Sequence, residues 1–149
     1  MTQQLHPPRG IALFNAIAKP LLAAGMPMAF NGLLTVPGRR TGKPRTTALA
    51  IIEVDGRRWV WSPWGDVHWV RNLRAAGRAT ITFRRREEEV TAVELDRDGR
   101  VAFFRDTLVP LARTMPGGML FIRLFDGVDL ADPEKAADDR RVFELHPAP

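Results

Sequence analysis

The chain has 149 residues, 45% of them hydrophobic, with a formal net charge of +5 and no cysteine. This length fits one domain with a full core, so residues 1–149 are read as a single unit. The lack of cysteine excludes disulfides, thiolate metal sites and a cysteine nucleophile, and it agrees with a reducing cytoplasmic setting.

Residues 1–32 read as a helical lead-in. The run from Ile11 to Val36 is largely apolar but is interrupted by Lys19, Pro20, Pro27 and Asn31. A membrane span wants about 20 predominantly apolar residues, and a signal peptide wants a basic start, whereas the only early positive charge is Arg9. The stretch Gly10–Lys19 is expected to be a short amphipathic helix. It would pack across the core, touch the inner face of a membrane, or line an entrance for an apolar substrate.

The chain then changes to strands. Leu33–Val36 is a short one, and "TTALAIIEV" (Thr46–Val54) is β-rich and apolar enough to be covered on both faces. Asp55-Gly56 is a hairpin signal, so "RRWVWS" (Arg57–Ser62) should pair with its predecessor. Pro63 and Gly65 break that strand, Asp66 is the expected N-cap, and Val67, Val70 and Leu73 recur at helical spacing up to a terminating Gly77. "RATITF" and "EVTAVEL" alternate as strands around an exposed charged turn, Arg84–Glu89. A helix is expected over Val101–Leu108 or beyond, ended or kinked by Pro110. Met119–Phe125 fits strand or helix, and Val142–His146 would close the sheet. Short hairpin connections imply antiparallel pairing, and closure removes open edges. The fold class expected is α+β: a small antiparallel split β-barrel of about six strands, with an N-terminal helix and others packed outside.

Two stretches carry chemistry. In "GRRTGKPR" the glycines Gly38 and Gly42 permit a tight turn, and Arg39, Arg40, Lys43 and Arg45 surround it with charge. This is not a nucleotide P-loop, because only three residues separate Gly38 from Gly42 and Pro44 follows Lys43. The second stretch is "SPWG" (Ser62–Gly65), leading into "WVRNL" (Trp69–Leu73) at a helix start. Helix starts attract anions, and Trp61, Trp64 and Trp69 offer flat apolar walls. Together they suit a flat heterocycle with an anionic tail; a solvated turn and core tryptophans are the plainer alternative. The three histidines, His6, His68 and His146, lack metal-site spacing, so no metal is expected. No helix carries a basic recognition stripe, so nucleic acid is not expected as a partner.

At these residues the sequence resembles the deazaflavin (coenzyme F420)-dependent nitroreductase family of split β-barrel proteins. The likeness runs over about Leu33–Leu95, on "GRRTGKPRTTAL", "SPWG" and "W-x-x-N-L" followed by "RAAG". The resemblance implies that Arg39, Arg40, Thr41, Gly42, Lys43 and Arg45 bind the coenzyme's phosphate and oligoglutamate tail, with Thr46 and Thr47 behind them. It implies that Ser62, Pro63, Trp64 and Gly65 surround the deazaflavin head, supported by Trp69 and Asn72. The implied reaction is hydride transfer from reduced coenzyme to a quinone, nitro compound or activated alkene, with the cofactor supplying the chemistry. Family members often place tyrosines near the substrate, and this chain has none. Ser62, His68 or water are left as proton donors, and nitroreduction is not claimed. FMN is the runner-up cofactor; a lipid or cofactor carrier on the same barrel is the alternative role. A small barrel with an uncovered face also leaves homodimerisation open.

Overall fold

The computed structural model describes residues 32–62, 65–114 and 132–149. The expected helix at Gly10–Lys19 and the segment Met119–Phe125 lie outside the described residues.

The strands are β1 (Gly32–Pro37), β2 (Pro44–Leu49), β3 (Ile51–Val54), β4 (Arg57–Ser62), β5 (Arg78–Phe83), β6 (Arg86–Glu94) and β7 (Arg141–Pro147). They form one antiparallel sheet in the order β2-β1-β5-β6-β7-β4-β3. The two end strands, β2 and β3, are successive parts of one run of chain joined at Ala50. The sheet therefore curls round until its ends share a backbone, the split-barrel form of the expected fold class.

The single strand expected over Thr46–Val54 is thus two. Its first half pairs with β1 and its second with β4, and the chain must leave one partner for the other at Ala50. Only its middle, Ala48–Ile52, is well covered; Arg45 is exposed. The hairpin at Asp55-Gly56 is present, both residues having positive φ (53° and 78°), as a type I′ turn requires. The charged turn is shorter than expected: only Arg84 and Arg85 turn, and Arg86–Glu89 already pair with β5. Arg86–Glu89 carry no apolar alternation to read, because this start of β6 is largely open to water. Strand β7 does not end the sheet but lies inside it, between β6 and β4.

Helix α1 (His68–Ala76) buries Val70 and Leu73 inside the barrel, beside Leu34, Val60, Ile81 and Phe143. Its C-cap is Gly77 in the left-handed region, as read from the sequence. Its N-cap is Val67, without a side-chain cap; Asp66 turns instead to Arg74 and Arg141. Two guanidinium groups outbid the helix amides for that carboxylate.

The second core lies on the other face of β4. Alternate residues of a strand face opposite sides, so Val60 points into the barrel while Trp59 and Trp61 point out. A continuous helical run covers them: α2 (Arg97–Ala102), a π-helical turn (Phe103–Leu108) and α3 (Val109–Thr114). Phe104 meets Trp61 edge-on at 5.5 Å and Phe103 meets Trp59 at 5.7 Å. Pro110 does not end the helix. Proline cannot donate back along the helix and its ring crowds the preceding turn, and the wider π turn lies directly before it. Helix α4 (Pro133–Asp139) was not anticipated, although Asp132 caps it through the Lys135 amide and Pro133 opens it.

Candidate functional site

The β1–β2 hairpin turn is closed by Gly38 N to Lys43 O and Gly42 N to Gly38 O, both 2.8 Å. Gly42 has φ +72°, and Thr41 Oγ1 accepts from Lys43 N at 3.3 Å. Thr41 and Gly42 therefore shape the turn, while Arg40, Lys43 and Arg45 project from it exposed. Behind it, Thr46 Oγ1 bonds Thr35 Oγ1 at 2.8 Å across the strand pair.

Helix α1 fixes this turn against the barrel. Asn72, buried on the helix, accepts from Arg39 N at 3.1 Å and from Arg39 Nη1 at 2.8 Å through the same Oδ1. The two stretches singled out in the sequence, 33 residues apart at this contact, thus meet. Between them opens a crevice of about 630 Å³, within the usual range for small-molecule sites. Arg39, Arg40, Thr41, Arg45, Thr46 and Thr47 line one side; His68, Trp69 and Asn72 line the other. Gly38 and Pro44, part of the candidate turn but not individually assigned to coenzyme binding, also line it.

The other candidates sit elsewhere. Gly42 borders a second groove, and Lys43 projects from the turn outside the crevice lining. Ser62 is buried and its hydroxyl donates to Gly65 O at 2.9 Å, so it braces the turn after β4. Pro63 and Trp64 lie outside the described residues. Trp61 belongs to the outer core, whereas Trp69, half-buried, backs onto Phe143 with ring centres 6.2 Å apart. His68 is exposed at the start of α1.

The hairpin gathers four cations, Arg39, Arg40, Lys43 and Arg45, within one turn of chain. Among the described residues, carboxylates engage Arg57, Arg58, Arg74, Arg84, Arg97, Arg105 and Arg141. None of these pairs involves Arg39, Arg40, Lys43 or Arg45. Beyond the crevice, a network that sequence reading missed braces α1. Arg74 donates to Glu94 at 2.8 and 2.7 Å and to Asp66 at 3.0 Å, while Arg141 reaches Asp66 at 3.2 Å. Burial works against ionisation of Asp66, but the hydrogen bonds and charges of Arg74 and Arg141 outweigh it and hold its carboxyl below the usual value.

The described residues thus form a split barrel in which a cationic turn faces a crevice walled in part by Trp69. The chain belongs to the F420H(2)-dependent quinone reductase family, whose model matches residues 19–113. It is accordingly an F420-dependent oxidoreductase. Solved structures with a similar fold include a domain-swapped dimer (TM-score 0.55, 18% identity, 88% of this chain and 95% of that one). Another is an F420-H2 dependent reductase, FDR-A (TM-score 0.53, 18% identity, 77% and 92%). A third is the General Stress Protein 26 of Bacillus anthracis str. Sterne (TM-score 0.51, 12% identity, 87% and 88%). No curated protein matches the chain. Among the described residues, no helix is long and apolar enough to cross a membrane.

Proposed function

We propose that the chain transfers hydride from reduced coenzyme F420 to an electron-poor acceptor, a quinone, a nitro compound or an activated alkene, with the crevice between the basic hairpin and α1 as the coenzyme site. The observation that carries this reading is the cluster of hairpin cations, which have no carboxylate partner among the described residues and are anchored on α1 through Asn72. The donor set fits the group: a polyanionic tail needs several cations, and a flat ring system needs an apolar wall such as Trp69.

When bound, the coenzyme supplies the hydride. In this reading Arg39, Arg40 and Arg45 hold the acidic tail, with Lys43 adding charge at the tip. Trp69 supports one face of the ring system, and Thr46 and Thr47 offer hydroxyls along the floor. The Ser62 proton is engaged with Gly65 O, which leaves His68 and water as the proton sources at the crevice. The similar fold that forms a domain-swapped dimer supports self-association here too, to be read from the mass in solution by light scattering.

The test is a fluorescence titration with oxidised F420, followed by mixing the reduced coenzyme with menadione. Saturable binding and oxidation above the protein-free rate are expected. Binding without oxidation would make the protein a carrier, and tighter binding of FMN than of F420 would replace the cofactor.

A further inference from the structure

Acidic residues are spread unevenly along the chain. Up to Arg86 they are Glu53, Asp55 and Asp66 alone. Glu53 and Asp55 belong to the β3–β4 hairpin, where Glu53 pairs with Arg84 beyond the Gly32 end of β1, the end away from the basic turn. The two segments that line the crevice, residues 38–47 and 68–72, hold no acid at all. Asp66 is the exception beside them, two residues ahead of His68 and directly before Val67, which gives α1 no side-chain cap. Its carboxyl is held below the usual value and is ionised at neutral pH. A carboxylate at that place is attracted by the amides at the start of a helix, where it would stand against an acidic ligand. The structure takes it elsewhere. Arg74 Nη2 donates to it at 3.0 Å and Arg141 Nε at 3.2 Å. Arg74 is also committed to Glu94, through Nε at 2.8 Å and Nη2 at 2.7 Å. Two carboxylates thus share two guanidinium groups, and Arg141 supplies the charge that balances Asp66. Arg141 stands opposite Ser62 in the β4–β7 register, so it reaches the turn from the sheet and not from α1.

We infer that Arg141 is a positioning residue for the crevice: it draws the Asp66 carboxylate against the sheet and away from the start of α1, and so keeps the wall formed by His68 and Trp69 open to an anionic ligand. This rests on the coenzyme reading above. Asp66 ties the turn after β4 both to β7 and to the last turn of α1, without presenting its charge to the crevice. Without Arg141, Arg74 is left to serve Glu94 and Asp66 together. The cluster then becomes net negative, and the Asp66 carboxylate is free to swing to the helix start.

A double-mutant cycle separates this role from plain bracing. Arg141→Met, Asp66→Asn and the double variant are each measured for thermal midpoint and for Kd toward oxidised F420, relative to wild type. Arg141→Met should raise Kd about threefold to tenfold, the effect of one unit charge roughly 8 Å from the ligand near a protein surface. Asp66→Asn alone should stay within about twofold of wild type, because the charge it removes is already held away. The same change made in Arg141→Met should bring Kd back to within about twofold of wild type. Arg141→Lys keeps the charge and should bind like wild type. If the midpoint shows that Arg141→Met does not fold, Arg141→Gln takes its place in the cycle. The inference is overturned if Asp66→Asn raises Kd as far as Arg141→Met does, which would make the cluster a brace, or if the two changes simply add. It is also overturned if Arg141→Met binds within about twofold of wild type, or if Arg141→Lys loses as much as Arg141→Met. Wild-type protein that does not bind F420 would overturn the coenzyme reading itself, and this inference with it. Tight wild-type binding without the coupling would overturn only the role of Arg141.

Discussion

Arg45→Ala tests whether the hairpin holds an anion by local contact or by the general charge of the surface. Arg45 is exposed at the start of β2 and lines the crevice, with no carboxylate partner among the described residues. A unit-charge pair at 4 Å is worth about 1 kcal/mol in water and about 4 kcal/mol near a protein surface. For an exposed side chain the lower part of that range applies, about 1–2.5 kcal/mol, or roughly fivefold to sixtyfold in Kd. The control is Arg85→Ala. Arg85 turns beside the Gly32 end of β1, since Gly32 pairs with Phe83, whereas the basic hairpin leaves the Pro37 end. At about 3.3 Å per strand residue the two turns lie roughly 20 Å apart, more than two Debye lengths in physiological salt, where each is about 8 Å. Arg85→Ala should therefore change Kd by less than about twofold. Titration of both variants with oxidised F420 gives the answer. Equal losses at the two hairpins would mean that nonspecific attraction, not a built site, draws the ligand.

Three further outcomes concern stability. Phe104→Ala removes a fully buried ring packed against Trp61 and Phe103; it should cost about 3–5 kcal/mol and lower Tm by on the order of 10 °C, as calorimetry would show. Asp66→Asn should cost roughly 1 kcal/mol at neutral pH, the pair with Arg74 being partly exposed. Because the folded carboxyl titrates below its unfolded value, this stabilisation is complete above the unfolded pKa of about 4 and fades as pH falls through the folded one. Urea midpoints of wild type and variant should therefore converge in acid; a constant gap would refute the ion pair as the cause. Arg85→Gly replaces a residue held at φ 64°, so the thermal midpoint should rise, reflecting a gain of up to about 1–2 kcal/mol.

Much of the β architecture was legible in short-range signals. Asp55-Gly56 announced its hairpin and Gly77 its helix end because each answers a local backbone demand, a positive φ, that few residues meet. The division of Thr46–Val54 was not legible. Both halves are β-rich, and only the competition of β1 and β4 for the same run of chain bends it at Ala50. Asp66 likewise reads as a cap until Arg74 and Arg141 are brought beside it. Its environment comes from residues 8 and 75 positions away, which periodicity cannot see.

For the candidate site the division is similar. Sequence alone determined that the turn after β1 would be cationic and flexible enough to fold tightly, because its glycines and arginines act through their own backbone and charge. It also determined that a tryptophan and an asparagine would stand one turn apart on a helix, on neighbouring faces. Only the tertiary structure decided that the two would meet, through Arg39 and Asn72, around one crevice. It alone decided that Trp61 would go to the core and Trp69 to the crevice wall. The physical reason is that ion pairing and burial depend on what long-range packing brings near, and among the described residues it left the basic turn without ion pairs while supplying carboxylates to seven other arginines.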